Sequence, residues 1–102
     1  MKTITIKGKE YTIKYTIRAL FVFEQITKKS FKIESLLDNY IFLYSMILAN
    51  NPNNPLDWDD FIEAVDNDNT IFETFSSLLY EQEQKEKVFG RDEEETDGKK
   101  KD

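Results

Sequence analysis

The chain of 102 residues contains no cysteine and no histidine, and only three glycines and two prolines. Without cysteine and histidine there are no disulfides, thiolate nucleophiles or zinc fingers, and the commonest general base of enzymes is missing. No apolar run approaches the roughly 18 residues that a membrane helix needs. The first ten residues, MKTITIKGKE, also lack the apolar segment of a secretory signal. We therefore expect a soluble intracellular protein with no membrane partner.

The chain is rich in aromatic residues, and its charge is unevenly distributed. Eight Phe, five Tyr and one Trp supply enough apolar material for one modest core, so length and composition predict a single folded domain. The net charge is −6, yet residues 1–32 carry a surplus of +6, whereas residues 33–80 carry nine carboxylates and no basic side chain. This polarity fits charge that is paired internally or solvated, and it also fits head-to-tail self-association between copies.

The N-terminal segment alternates apolar and polar residues, which is typical of half-buried strands. Gly8 and Lys9 separate two alternating runs and supply a tight turn with glycine at its first central position. The pattern predicts a β-hairpin over residues 3–16. A lone two-stranded ribbon is marginal in water, so its apolar face is expected to pack on helices. That face would consist of Ile4, Ile6, Tyr11, Ile13 and Tyr15.

After the hairpin, apolar residues recur every three or four positions, which indicates helices. The predicted helices cover about 17–27, 34–49, 58–65 and 70–87. Residues 90–102 contain no apolar side chain and are expected to form a disordered charged tail. The predicted fold class is α+β, with the N-terminal hairpin packed on a bundle of about four helices in one globular domain of residues 1–89.

Local signals set the start of two of these helices. Thr16 is the expected N-cap of the first. Asp57 is the expected N-cap of the third, with Asp60 at the third helical position, and Leu56 is placed to contact Phe61 across the first turn. These patterns predict that the second strand runs directly into the first helix and that a new helix starts at Trp58.

A dense group of carboxylates around the third predicted helix raises the question of a metal site. Its members are Asp57, Asp59, Asp60, Glu63, Asp66 and Asp68. An EF-hand loop that starts at Asp57 needs glycine at its sixth position, where this chain has Ile62. Helix capping and the helix dipole explain the first three carboxylates without a metal. Since no catalytic motif is present either, we expect no enzyme, no metal site and no cofactor.

The basic N-terminal part raises the question of nucleic acid. Its lysines in the hairpin and after the first helix could contact phosphates. The acidic remainder would repel a nucleic-acid backbone, so we expect no nucleic-acid partner.

Two predicted helices have more apolar residues than one buried face needs. Phe21, Val22 and Phe23 are consecutive in the first helix, and Ile41 to Tyr44 are consecutive in the second. Such helices are either fully surrounded or leave an apolar patch on the surface for a partner or for self-association. Both alternatives remain open from the sequence.

The segment MKTITIKGKEYTIKYTIRALFVFEQITKKSF resembles the tail assembly chaperones of long-tailed bacteriophages. The resemblance covers the hairpin and a first helix with the pattern Arg18-Ala19-Leu20-x-x-x-Glu24, followed by a small acidic helical body. Many relatives have glycine after the helical threonine, where this chain has Lys28.

The resemblance implies a non-catalytic binding protein of the bacterial host cytoplasm that is absent from the mature virion. Its partners would be the tape-measure protein, which it keeps soluble, and the tail-tube protein, whose assembly it aids. Candidate partner-binding residues are Phe21, Phe42, Tyr44 and Trp58. The alternative hypothesis is a small homo-oligomeric adaptor, structural or regulatory, of a phage or mobile element.

Overall fold

The computed structural model describes residues 1–85 and has the predicted α+β architecture, an N-terminal hairpin packed on four helices. The elements are strands β1 (Lys2–Ile6) and β2 (Lys9–Ile13) and helices α1 (Ile17–Thr27), α2 (Leu36–Asn50), α3 (Trp58–Asn67) and α4 (Asn69–Lys85). The end predicted for the fourth helix, at residue 87, and the predicted disordered tail, residues 90–102, lie outside the described residues.

The hairpin turn lies one residue earlier than predicted. Lys7 and Gly8 are its central residues, and both have positive φ (51° and 79°), as in a type I′ turn. Ile4 consequently pairs with Tyr11. Moving the turn by one residue shifts the pairing by two, so every side chain keeps its predicted face. The four strand residues predicted to be inward are buried: Ile4, Ile6, Tyr11 and Ile13.

Strand β2 ends at Ile13 and not at the predicted residue 16, because the chain leaves the sheet to enter α1. Thr16 is the N-cap as predicted, and its Oγ1 accepts a hydrogen bond from the backbone N–H of Ala19 (3.1 Å). Tyr15 therefore lies outside the sheet, half-buried, with its ring edge-on to that of Phe42 at 5.8 Å between centroids.

Helices α1 and α2 form an antiparallel pair. Just after the end of α1, Lys29 Nζ lies 3.0 Å from the carboxylate of Asp38 in the first turn of α2. At the other end of the pair, the Asn50 side chain donates a hydrogen bond to the carbonyl of Lys14, just before α1 (3.1 Å). Helix α2 starts two residues later than predicted, after the N-cap Ser35.

Helix α3 starts at Trp58 as predicted, with an Asp57 carboxylate oxygen accepting from the backbone N–H of Asp60 (2.9 Å). It continues two residues beyond the predicted end at residue 65. Asn67 is helical and donates from its side chain to the Glu63 carbonyl (2.8 Å). Helix α4 follows after Asp68.

The core is a single cluster in which Phe42 occupies the centre. Its ring lies 4.9 to 6.1 Å, centroid to centroid, from four other aromatic rings, those of Tyr15, Phe23, Phe31 and Phe75. These contacts join α1, α2, α4 and the segments beside α1 into one body. Within residues 1–85, no helix combines the length and the apolar character needed to cross a membrane.

Candidate partner-binding surface

Helix α2 presents almost no charge to solvent. Only one of its fifteen residues, LLDNYIFLYSMILAN, is charged. That residue, Asp38, is 5% exposed, with its carboxylate held by Lys29 and by the backbone N–H of Glu34 (3.0 and 2.9 Å). A helix at the surface of a globular protein normally has polar residues on its outer face. Helix α2 lacks them, so its outer face needs another explanation.

The outer face of α2 is an apolar stripe. Leu37, Ile41, Tyr44 and Leu48 recur at spacings of four, three and four, which places them on one side of the helix. Leu37 is 57% exposed and the other three are half-buried. The core side of the helix, in contrast, contains fully buried residues, including Leu43, Met46 and Ile47.

Helix α1 extends this stripe. It contacts α2 through its buried residues Ala19 and Phe23, and helical periodicity places Val22 and Ile26 beside them, on the side away from the rest of the core. Val22 is half-buried and Ile26 is exposed. We use the name α1–α2 apolar surface for the set of five residues that consists of Val22 and Ile26 from α1 and Leu37, Ile41 and Leu48 from α2.

A groove lies between α2 and α3, on the far side of the stripe from α1. It has a volume of about 220 Å³ and is lined by Leu36, Tyr40, Ile62, Val65 and Asp66. Four of these five side chains are apolar or aromatic, and Leu36 is the most exposed leucine of residues 1–85. The groove thus adds a concave apolar site next to the flatter α1–α2 apolar surface.

The structure brings together two of the four candidate binding residues. The rings of Tyr44 and Trp58 meet edge-on at 5.2 Å, and the Tyr44 hydroxyl donates to the carbonyl of Leu56 (2.7 Å). Burial of this hydroxyl, with a smaller effect from the carboxylate of Asp57, raises the pKa of Tyr44 above its ordinary value of 10.0. The pair forms a rigid aromatic edge where the α2 stripe meets α3.

The other two candidates lie apart from this edge. Phe42 is 2% exposed and belongs to the core, so its ring is not part of any surface. Phe21 is 59% exposed, but it lies with Ile17 on the face of α1 opposite to Ala19 and Phe23. Phe21 and the Tyr44–Trp58 pair therefore belong to different faces of the molecule.

The exposed leucines at the start of α2, Leu36 and Leu37, were not among the candidates. A signal for them exists in the sequence, since Ser35 and Asp38 have the spacing of a capping box. In the structure Ser35 Oγ accepts from the Asp38 N–H (3.1 Å), which fixes the first turn of the helix. With the helix start known, the stripe that begins at Leu37 can be traced by its spacing.

Part of the charge polarity is resolved by contacts within the molecule. Lys7 in the hairpin turn pairs with Asp60 and Glu63 of α3 (3.0 and 3.2 Å), and Lys2 pairs with Glu81 of α4 (2.9 Å). Lysines of the hairpin thus form exposed ion pairs with carboxylates of α3 and α4. In the part of the chain that the structure describes, no group of three or more acidic side chains is arranged to hold a metal ion.

Comparison of the chain with models of protein families, with curated proteins and with solved structures found no match. The resemblance to tail assembly chaperones therefore stays a prediction from the sequence.

Proposed function

We propose that the protein is a phage tail assembly chaperone, a non-catalytic protein that covers apolar helical segments of the tape-measure protein with its α1–α2 apolar surface. The observation that carries the proposal is the outer face of α2, which is apolar along about three turns, from Leu37 to Leu48, and offers no exposed charge. Such a face raises the free energy of the isolated protein in water unless a partner covers it. An amphipathic helix laid along it would bury both apolar faces.

The resemblance of the N-terminal segment supplies the identity of the partner. A tape-measure protein is a long, largely helical chain that would aggregate before the tail tube encloses it. The chaperone would act in the bacterial host cytoplasm, aid the addition of tail-tube subunits and leave before the virion is complete. An acidic protein with an apolar face suits this role, because its net charge of −6 keeps the complex soluble.

Co-expression with the long open reading frame downstream of its gene tests the proposal. We expect a soluble complex by size-exclusion chromatography with light scattering, and an insoluble downstream product when the chaperone is left out. The variant Ile26→Ser/Leu37→Ser should lose the complex while keeping the fold, since both side chains are exposed.

The matched control is Ile17→Ser/Phe21→Ser, which removes two exposed apolar side chains from the other face of α1. It should leave the complex intact. A downstream product that is soluble alone, or that ignores the protein, overturns the proposed function. A protein that instead forms oligomers by itself, dispersed by salt, would support the homo-oligomeric adaptor.

A further inference from the structure

The two helices that form the α2–α3 groove are antiparallel. Tyr44, in the middle of α2, contacts Trp58 at the start of α3, while Leu36 and Tyr40, near the start of α2, line the groove with Val65 near the end of α3. The residues that line the groove span about one turn of each helix, and the Tyr44–Trp58 pair lies one turn further along α2.

One rim of the groove is acidic. Asp66 lines the groove together with Ile62, and Asp59, seven residues earlier on the same side of α3, lies outside the groove lining. Seven residues of helix separate the two carboxylates, which corresponds to about 10 Å along the axis.

The rim carboxylates differ from their neighbours in having no cation. Asp60 and Glu63 on the next face of α3 hold Lys7, whereas Asp59 and Asp66 form no salt bridge with any residue from 1 to 85. Residues 33–80 also contain no basic side chain. Two carboxylates without a salt bridge in residues 1–85 thus lie about two turns apart on this side of α3, Asp66 in the groove lining and Asp59 beyond it.

We infer that the occupant of the α2–α3 groove is a basic amphipathic helix, with an apolar stripe in the groove and Lys or Arg side chains two turns apart facing Asp59 and Asp66. This inference rests on the proposed function and specifies the chemistry of the partner. The apolar side chains supply affinity, and the two cations select which apolar helix is accepted and fix its register.

A helix of a second copy of this chain fits the groove less well. The exposed face of α1 has apolar Ile17 and Phe21, but it offers Arg18 together with the carboxylate of Glu24. One of the two charges would be repelled by the rim. The charge pattern therefore favours a different protein over self-association at this site.

Three synthetic helical peptides with one shared apolar stripe test the inference. The first has Lys at two positions seven residues apart beside the stripe, the second has Gln there, and the third has the same two Lys on the opposite face. Binding is measured by the fluorescence of Trp58, the single tryptophan of the chain, at low and at high salt. We expect the first peptide to bind about tenfold more tightly than the other two at low salt.

The protein variant that removes the rim charge is Asp59→Asn/Asp66→Asn. It should bind the first peptide no better than the second. The control Glu73→Gln/Glu83→Gln changes the net charge equally on α4, at two exposed carboxylates without a salt bridge among residues 1–85, and should keep the preference.

Equal affinity for the first and third peptides, or an unchanged preference in the rim variant, overturns the inference. If the Gln peptide binds as tightly as the Lys peptide, the rim has no role and the proposed function still stands. If none of the peptides binds and the tape-measure candidate is not solubilised, both fail. If the wild-type protein forms oligomers by itself and the variant Asp59→Asn/Asp66→Asn does not, the occupant of the groove is a second copy of the chain.

Discussion

The hairpin and helix α2 use apolar residues in opposite ways. In the hairpin, side chains alternate, so that Ile4 and Tyr11 are buried while Thr5 and Glu10 face water. In α2, the core side and the outer side are both apolar, and the single charged residue of the helix is buried. The apolar residues of the hairpin are fully accounted for by folding. On the outer face of α2, Ile41 and Tyr44 still pack against the core, whereas Leu37 is 57% exposed and lies outside it.

An apolar residue that does not contribute to the core favours aggregation and adds little to stability. Exposed apolar side chains also occur on α1 and α4, at Ile17, Phe21, Ile26 and Tyr80. The proposed function assigns to a partner only those of the α1–α2 apolar surface. Mutations in the hairpin, in the core and on the outer face of α2 test this assignment through their effects on folding stability.

The largest expected effect is at the centre of the core. Phe42→Ala removes a ring that contacts four other rings and should lower the free energy of unfolding by about 3–5 kcal/mol, measured by urea denaturation followed by circular dichroism. Leu37→Ala, on the outer face of the same helix, should change it by less than about 1 kcal/mol. Similar losses at both positions would contradict the separation of a core side from a binding side.

The second-largest effect is expected at the contact between strand β2 of the hairpin and the end of α2. The Asn51 side chain accepts from the backbone N–H of Thr12 (2.9 Å) and donates to its carbonyl (2.8 Å), as a neighbouring strand would. Asn51→Ala leaves both groups unpaired, so it should cost about 1–3 kcal/mol of unfolding free energy in the same assay. Asn53→Ala, in the exposed loop nearby, is the control. A loss no larger than in the control would mean that apolar packing alone holds the hairpin.

Local signals made most of the fold predictable. The N-caps Thr16 and Asp57 act within one helical turn, so their effect can be inferred without knowing the tertiary structure. The inward residues of the hairpin were predicted from the alternation of apolar and polar residues. The turn lies one residue earlier than predicted, at Lys7 and Gly8, but this shift leaves every side chain on its predicted face. The positive φ of Lys7 could not be foreseen, since lysine has no preference for that conformation.

The binding surface was harder to predict. Helix α2 is apolar nearly all round, so its sequence alone does not say which stripe faces the core. The choice between Phe42 and Leu37 is made by the positions of α1 and the hairpin, which are tertiary contacts. The prediction included Phe42 among the partner-binding residues for this reason. In the structure Phe42 is buried, whereas Tyr44 and Trp58 lie at the edge of the apolar stripe of α2.

A smaller effect is expected at Asp38, the one charged residue of α2, whose contribution to folding stability depends on pH. The backbone N–H of Glu34 and then Lys29 hold the pKa of Asp38 below its ordinary value of 3.8. Folding favours the ionised form, so this contribution is complete above pH 3.8 and is lost as pH falls through the lower pKa of the folded state.

Asp38→Asn should therefore show a shallower loss of stability on acidification, measured as the midpoint of urea unfolding at several pH values. Some dependence will remain, because hydrogen bonds from Thr70 and Lys2 also lower the pKa values of Asp68 and Glu81. An unchanged slope would mean that the buried carboxylate does not help to fix the start of α2.

The smallest effect concerns the polar side of the hairpin, where Lys7 contacts Asp60 and Glu63. Exposed ion pairs contribute little and are screened by salt. Lys7→Met should thus lower the melting temperature slightly at low salt and leave it unchanged at high salt, whereas Lys9→Met, which removes an exposed lysine without a salt bridge in residues 1–85, should have no effect at either. If Lys7→Met left the melting temperature unchanged and instead dispersed oligomers of the wild-type protein, the lysine would act between copies. The hairpin would then share with α2 the role of an interface, and the homo-oligomeric adaptor would become the better hypothesis.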